Sequence, residues 1–204
     1  MPIVRRPPSE GVRSSGAGGD CAGGARAGWL RTFGAGYLTY QLYWLAMRRG
    51  PSPEWSVLEI SMVVGGCAVA MSSVYAMAGH GVSGLRPRIL VGLAGIAGGA
   101  LGLLASMLLW PLFAGPFWVG WAGLAWAAAG LALVPRRAPG HVHVIVGAIA
   151  CAAGLVWILA VLPGLPDRAF DFETYGLTSA FVTGMLLVSA AASQKACSLL
   201  CARG

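Results

Sequence analysis

The sequence predicts an all-α fold, a polytopic transmembrane bundle of six helices, and three observations carry that prediction. Four uncharged stretches, Ile89 to Trp110, Phe117 to Val134, Val144 to Leu162 and Gly176 to Gln194, are each about long enough to cross a hydrocarbon core as a helix. Hydrophobic residues make up 57% of the 204 positions and charged residues 10%, too few charges to cover a water-soluble globule. The formal charge of +7 is held mainly in the N-terminal segment and in short turns between apolar runs. That placement is the mark of membrane topology, and it argues against a nucleic-acid partner.

Residues 1 to 28 are rich in Gly, Arg, Ser and Pro and lack an apolar run long enough for a signal peptide. They are expected to form a disordered, basic cytoplasmic tail. Residues 29 to 204 are expected to form one membrane domain with no separate soluble unit. Its first span, about 29–47, is the weakest of the set. Thr32 to Met47 supplies only 16 uncharged residues, about 24 Å at the helical rise, against a core of about 30 Å. Trp29 and Arg31 at one end, with Trp44, Arg48 and Arg49 at the other, would have to anchor it by interfacial seating and snorkelling. The alternative is five spans plus one interfacial helix. The second span, about 57–78, carries Glu59 close to its start. The third, about 89–110, holds Gly92, Gly95, Gly99 and Gly102 at spacings of three, four and three, which places them on one stripe where backbones can approach closely. That stripe is expected to pack within the bundle, or else against a second copy. The remaining spans are expected at about 117–134, 144–162 and 176–194.

Basic residues decide between six spans and five. With six spans and both termini in the cytoplasm, 11 basic residues fall inside and 3 outside; if the first segment merely lies on the inner surface, the split becomes 8 and 6. Six spans in a bacterial plasma membrane satisfy the positive-inside rule far better.

Candidate functional residues follow from this topology. Glu59 is the only acidic residue inside an expected span, and an ionised carboxylate in hydrocarbon needs a partner, a cavity or the interface. Asp167, Asp171 and Glu173 stand in the last outer loop on the same side, so four carboxylates can converge there as general acids and bases or as cation ligands. Trp44, Trp55, Trp110, Trp118, Trp121 and Trp157 all fall towards the outer half, where an aromatic-walled chamber would hold an apolar or cationic ligand. His80, His141 and His143 share one side and are weak candidates for a metal. The two-residue spacing of the last pair points them to different helix faces, so no metal is expected. Five scattered cysteines give no disulfide framework.

No motif specifies a reaction, and no cofactor is expected. The expected role is small-solute transport or binding, or service as an accessory subunit of a membrane complex. The lipid bilayer is the principal partner, and a homodimer or membrane-complex partner is the further expectation. The alternative is an intramembrane enzyme acting on a lipid or isoprenoid, with Glu59 and the outer-loop carboxylates as acid and base.

Overall fold

The computed structural model describes residues 20–47, 55–113, 117–161 and 172–202. Among them the chain forms six helices: α1 Asp20–Met47, α2 Val57–Gly79, α3 Leu85–Phe113, α4 Phe117–Leu133, α5 Gly140–Val161 and α6 Phe172–Cys201. Segments of α2, α3, α5 and α6 are long and apolar enough to cross a membrane, and α4 is a shorter apolar helix of 17 residues. The fold is thus the expected all-α bundle of membrane-spanning type.

Local chemistry explains where the helices begin and end. At the start of α2 the Ser56 hydroxyl accepts from the Glu59 amide while the Glu59 carboxylate accepts from the Ser56 amide, a reciprocal capping box. The chain leaves α2 through Gly81 and Gly84, both at positive φ (62° and 89°), a region that side chains with a Cβ avoid. Pro87 falls in the first turn of α3, where its missing N–H breaks no helical hydrogen bond. Consequently α3 starts at Leu85 and carries Arg86 and Arg88 within it.

The helices alternate in direction. Gln194 near the end of α6 donates to the Gly28 carbonyl on α1, Arg136 just after α4 donates to the Gly79 carbonyl ending α2, and Arg31 on α1 meets His143 at the start of α5. These contacts gather Arg31, Arg86, Arg88, Arg136, Arg137 and Lys195 at one end of the bundle, the basic end. At the opposite, aromatic end Tyr40 bonds Ser179, and Trp44 and Trp118 close on Tyr175.

The six-helix expectation holds, and α1, the helix whose hydropathy was weakest, is supported by its neighbours. Rather than lying at an interface, α1 occupies the middle of the bundle, in contact with α2, α4 and α6. Phe33, Tyr37, Tyr40 and Trp44 are buried, and so are the polar Thr32 and Gln41. A helix walled by other helices need not present apolar side chains to lipid, and for that reason its hydropathy understated it. It also begins at Asp20, so the last residues of the segment expected to be disordered are helical. At 28 residues α1 is about 42 Å long, ample for a crossing. Residues 1–19 lie outside the described residues.

Close packing surrounds this centre. A Cβ on Gly34 would collide with the backbone of Ala128 in α4, and one on Gly36 would meet the Ala68 carbonyl of α2 and Leu186 of α6. The two glycines therefore let α1 approach neighbours on different sides. The other buried helix is α6, in which 61% of the membrane-crossing stretch is buried against 17% in α5. Peripheral α3 packs along α6, and α5 packs on α4. Their outer faces expose Leu93, Ile96, Leu101, Leu104, Leu108, Val144, Ile149 and Leu159, the covering expected towards lipid.

Candidate functional site in the α1–α6 core

Two residue patterns build the site. On α1, Trp29, Phe33, Tyr37, Tyr40 and Trp44 recur every three or four residues, so their rings stack up one face of the helix. Adjacent centroids lie 6.3, 6.1, 5.5 and 6.2 Å apart along that ladder. On α6 the hydroxyl residues Tyr175, Thr178, Ser179, Thr183, Ser189 and Ser193 are all buried, on the stripe that also carries Val182 and Leu186. Where the stripes meet at the aromatic end, Tyr40 Oη and Ser179 Oγ are 2.5 Å apart, and Gln41 Nε2 donates to Tyr175 Oη at 3.3 Å. Trp44 packs edge-on to Tyr175 at 5.1 Å, and Trp118 of α4 does so at 6.3 Å. Tyr37 meets Trp126 of α4 edge-on at 6.2 Å.

Within this cluster two hydroxyls have no hydrogen-bond partner, those of Tyr37 and Thr178. Tyr37 lies close enough to Gln41 and Tyr175 to interact with both, but neither contact has the full geometry of a hydrogen bond. Ser72 of α2 and Ser189 of α6 are likewise buried without partners, nearer the basic end. The Tyr43 hydroxyl and the Trp126 indole N–H are also buried without partners, whereas Ser73 and Ser193 pair at 3.0 Å, Ser61 donates to the Val57 carbonyl, and Tyr75 donates to the Ala132 carbonyl at 2.9 Å. The described members of the cluster offer hydroxyl and amide hydrogen-bonding groups between aromatic walls, with no carboxylate among them.

The sequence-derived candidates are distributed as follows. Trp44 and Trp118 are buried in the cluster, and Trp157 packs against its edge. Trp55, which precedes α2, and Trp110 and Trp121, on α3 and α4, are 47%, 40% and 40% exposed, the disposition expected of interfacial rings. They do not wall a chamber with the others. Glu59 is exposed and holds Ser56 through two contacts of 2.8 Å to Oε2, from the Ser56 amide and hydroxyl. Its position at the third residue of α2 gives it a capping role and keeps it out of the core. Glu173 lies in the first turn of α6, while Asp167 and Asp171 lie outside the described residues, as do Arg48 and Arg49.

Of the glycine stripe, Gly95 faces Ser73 and Ser193, Gly99 faces Val69, and Gly102 faces the Gly184 backbone, whereas Gly92 has nothing within 4 Å. Gly98, one residue aside, also abuts α6 at Val188 and Ser189. The stripe thus serves α2 and α6 of the same chain from Gly95 onward, while at the Gly92 level it is Val91 that packs inward, against Ala76 and Cys197.

The histidines are spread apart. His80 Nδ1 lies 3.0 Å from the Ala76 carbonyl, His143 is bound to Arg31 and to the Pro139 carbonyl, and His141 is exposed. Among the described residues no group of three His, Cys, Asp or Glu side chains is placed to hold a metal ion.

Sequence reasoning missed Tyr37 and the hydroxyl face of α6. The signal was present as a three-to-four residue spacing of aromatic side chains in α1 and hydroxyl side chains in α6. Comparison with protein-family models, with curated proteins and with solved structures finds no match, so function rests on the chemistry of the site itself.

Proposed function

We propose that the protein is a plasma-membrane carrier that takes a small, neutral, hydrogen-bonding solute into the α1–α6 core. One observation carries the reading: the Tyr37 and Thr178 hydroxyls are buried without hydrogen-bond partners, as is the Trp126 indole N–H packed on Tyr37, beside the paired Tyr40–Ser179 and Gln41–Tyr175 groups. Each such group costs about 1–3 kcal/mol, a cost recovered when a bound molecule supplies the missing donor or acceptor. Aromatic walls with a few convergent polar groups are the usual lining of a small-molecule site. Neutrality follows because the described cluster offers ring faces but no carboxylate to balance a cation.

The orientation that goes with this reading puts the basic end and both termini in the cytoplasm. It is supported by Arg31, Arg86, Arg88, Arg136, Arg137 and Lys195 gathered at one end. Solute then enters from the aromatic end. The enzyme alternative assigns acid–base work to Glu59 together with Asp167, Asp171 and Glu173; the Glu59 carboxylate is engaged in capping α2 on the exposed surface, and the carrier reading needs none of these groups. Bilayer lipid covers the outer faces of α3 and α5.

The test is a thermal-unfolding screen of the detergent-purified protein against a panel of small neutral polyols, amides and amino alcohols. At least one compound should raise the midpoint of the wild type, and Tyr37→Phe and Thr178→Val should remain folded but lose that response. A panel without effect, or variants that respond like the wild type, would refute the proposal.

A further inference from the structure

Arg31 is the one described cation buried in the bundle, only 6% exposed, at the basic end of α1. Its side chain crosses to the first turn of α5, where Nη2 donates to His143 Nε2 at 2.5 Å. His143 Nδ1 lies 3.1 Å from the Pro139 carbonyl. That contact places the ring proton on Nδ1 and leaves Nε2 as the acceptor, so Arg31 is held by a neutral ring. The second terminal nitrogen, Nη1, is buried and has no partner. Among the described residues no carboxylate pairs with this guanidinium. A buried guanidinium that lacks a counter-charge and has a spare donor is costly to keep unless something anionic completes it.

The surroundings select for an anion. Gly140–Val161 is a helix of 22 residues whose opening amides have no acceptor within the helix, and its dipole places partial positive charge where Arg31 arrives. The turn that leads into it carries the exposed Arg137, and Arg136, which donates to the Gly79 carbonyl, stands beside it. A helix N-terminus joined by a guanidinium with free donors suits a tetrahedral oxyanion, because the planar fork presents parallel N–H groups to two oxygens.

We propose that the first turn of α5 and Arg31 together form a binding site for a phosphate-type oxyanion, either the headgroup phosphate of an anionic lipid or free inorganic phosphate. The anion takes the unpartnered Nη1 and competes with His143 for Nη2, and the Gly140 and His141 amides that open α5 supply further donors, the Val142 amide being held by the Pro139 carbonyl. The site lies at the basic end, away from the Tyr37 and Thr178 cluster, and it stands or falls independently of the carrier reading.

The experiment uses the full chain in a zwitterionic detergent. Thermal midpoints are recorded against inorganic phosphate, with sodium chloride at matched ionic strength as control. In parallel, lipid retention is read by native mass spectrometry after exchange into phosphatidylglycerol or phosphatidylcholine. Wild type should be stabilised by phosphate beyond the salt control, or should retain phosphatidylglycerol over phosphatidylcholine. In Arg31→Gln the apparent affinity should fall at least about tenfold, equivalent to about 1.4 kcal/mol. His143→Gln, which keeps an acceptor for Arg31, should bind as well as wild type or better and provides a folded reference if Arg31→Gln does not fold. In that case Arg31→Lys, which keeps the charge but loses the fork, should bind several-fold more weakly. Retention of phosphatidylglycerol alone identifies a lipid site, and a response to phosphate alone identifies a soluble anion. Equal responses to phosphate and chloride with no lipid preference, or full binding by the Arg31 variants, would overturn the proposal.

Discussion

Adding one methyl group at four glycines of α3 should give four different outcomes, set by what each new Cβ meets. At Gly92 nothing lies within 4 Å, so Gly92→Ala should stabilise by about 0.5–1 kcal/mol, the helix-propensity gain of Ala over Gly. At Gly99 the Cβ would stand 3.0 Å from Val69 Cγ2, a side-chain methyl that must shift by a few tenths of an ångström. That strain offsets the propensity gain and leaves Gly99→Ala close to neutral. At Gly95 the Cβ would displace Ser73 and Ser193 from their 3.0 Å hydrogen bond, a loss of about 0.5–1.5 kcal/mol. At Gly102 it would collide with the Gly184 carbonyl and stand 2.9 Å from Met185 Cα. Those are backbone atoms, so α3 and α6 must separate, and the cost should approach the upper part of the about 1–3 kcal/mol seen for overpacking. Gly92→Ala and Gly102→Ala, identical in chemistry, should therefore differ by about 2–4 kcal/mol. Reversible unfolding of purified variants in mixed micelles measures the series. Equal effects at Gly92 and Gly102, or a reversed order, would refute the packing of α3 on α6.

Tyr40→Phe and Ser179→Ala should each destabilise by about 1–2 kcal/mol, and the double variant by clearly less than their sum, because the two hydroxyls share one buried hydrogen bond; a double-mutant cycle in micelles checks the coupling. Tyr37→Phe should leave the solute-free protein as stable or more stable, since it removes a buried hydroxyl that has no partner; a fall of more than about 1 kcal/mol would mean that hydroxyl is satisfied. Glu59→Gln should change neither solute response nor anion binding, because the amide still accepts at the α2 cap; loss of either response in a folded variant would restore Glu59 as a functional acid. Gly34→Leu should prevent α1 from meeting Ala128 of α4 and abolish the folded bundle, read as loss of a monodisperse peak in size-exclusion chromatography.

Much of the bundle was legible because uncharged runs of about 20 residues have few alternatives to a membrane-crossing helix. The clustering of Arg86, Arg88, Arg136, Arg137 and Lys195 in alternate turns also gave the alternation of the helices. The arrangement of the helices was less accessible. Hydropathy averages over a helix's whole circumference, so α1, with Thr32, Tyr37, Tyr40 and Gln41 turned inward, read as marginal when it is central. The Ser and Thr residues of α6 are individually unremarkable in a membrane helix, and only their shared face makes them a lining. Ser56 and Glu59 form an S-x-x-E pattern before an apolar run, a capping signature that already accounted for the carboxylate. Arg31 looked like a snorkelling anchor because it stands two residues from Trp29. Its burial comes with the contact to His143 at the start of α5, far away in sequence, which no local pattern records.

The most direct test of the account is whether the inward face of α1 meets α6. In a background with the native cysteines replaced, the pair Tyr40→Cys and Ser179→Cys should cross-link rapidly on oxidation in native membranes. The pair Leu42→Cys and Ser179→Cys should not, because Leu42 is 63% exposed on another face of α1. Cross-linking of the Leu42 pair in preference to the Tyr40 pair, or of neither in a folded protein, would contradict a central α1 and the site built on it.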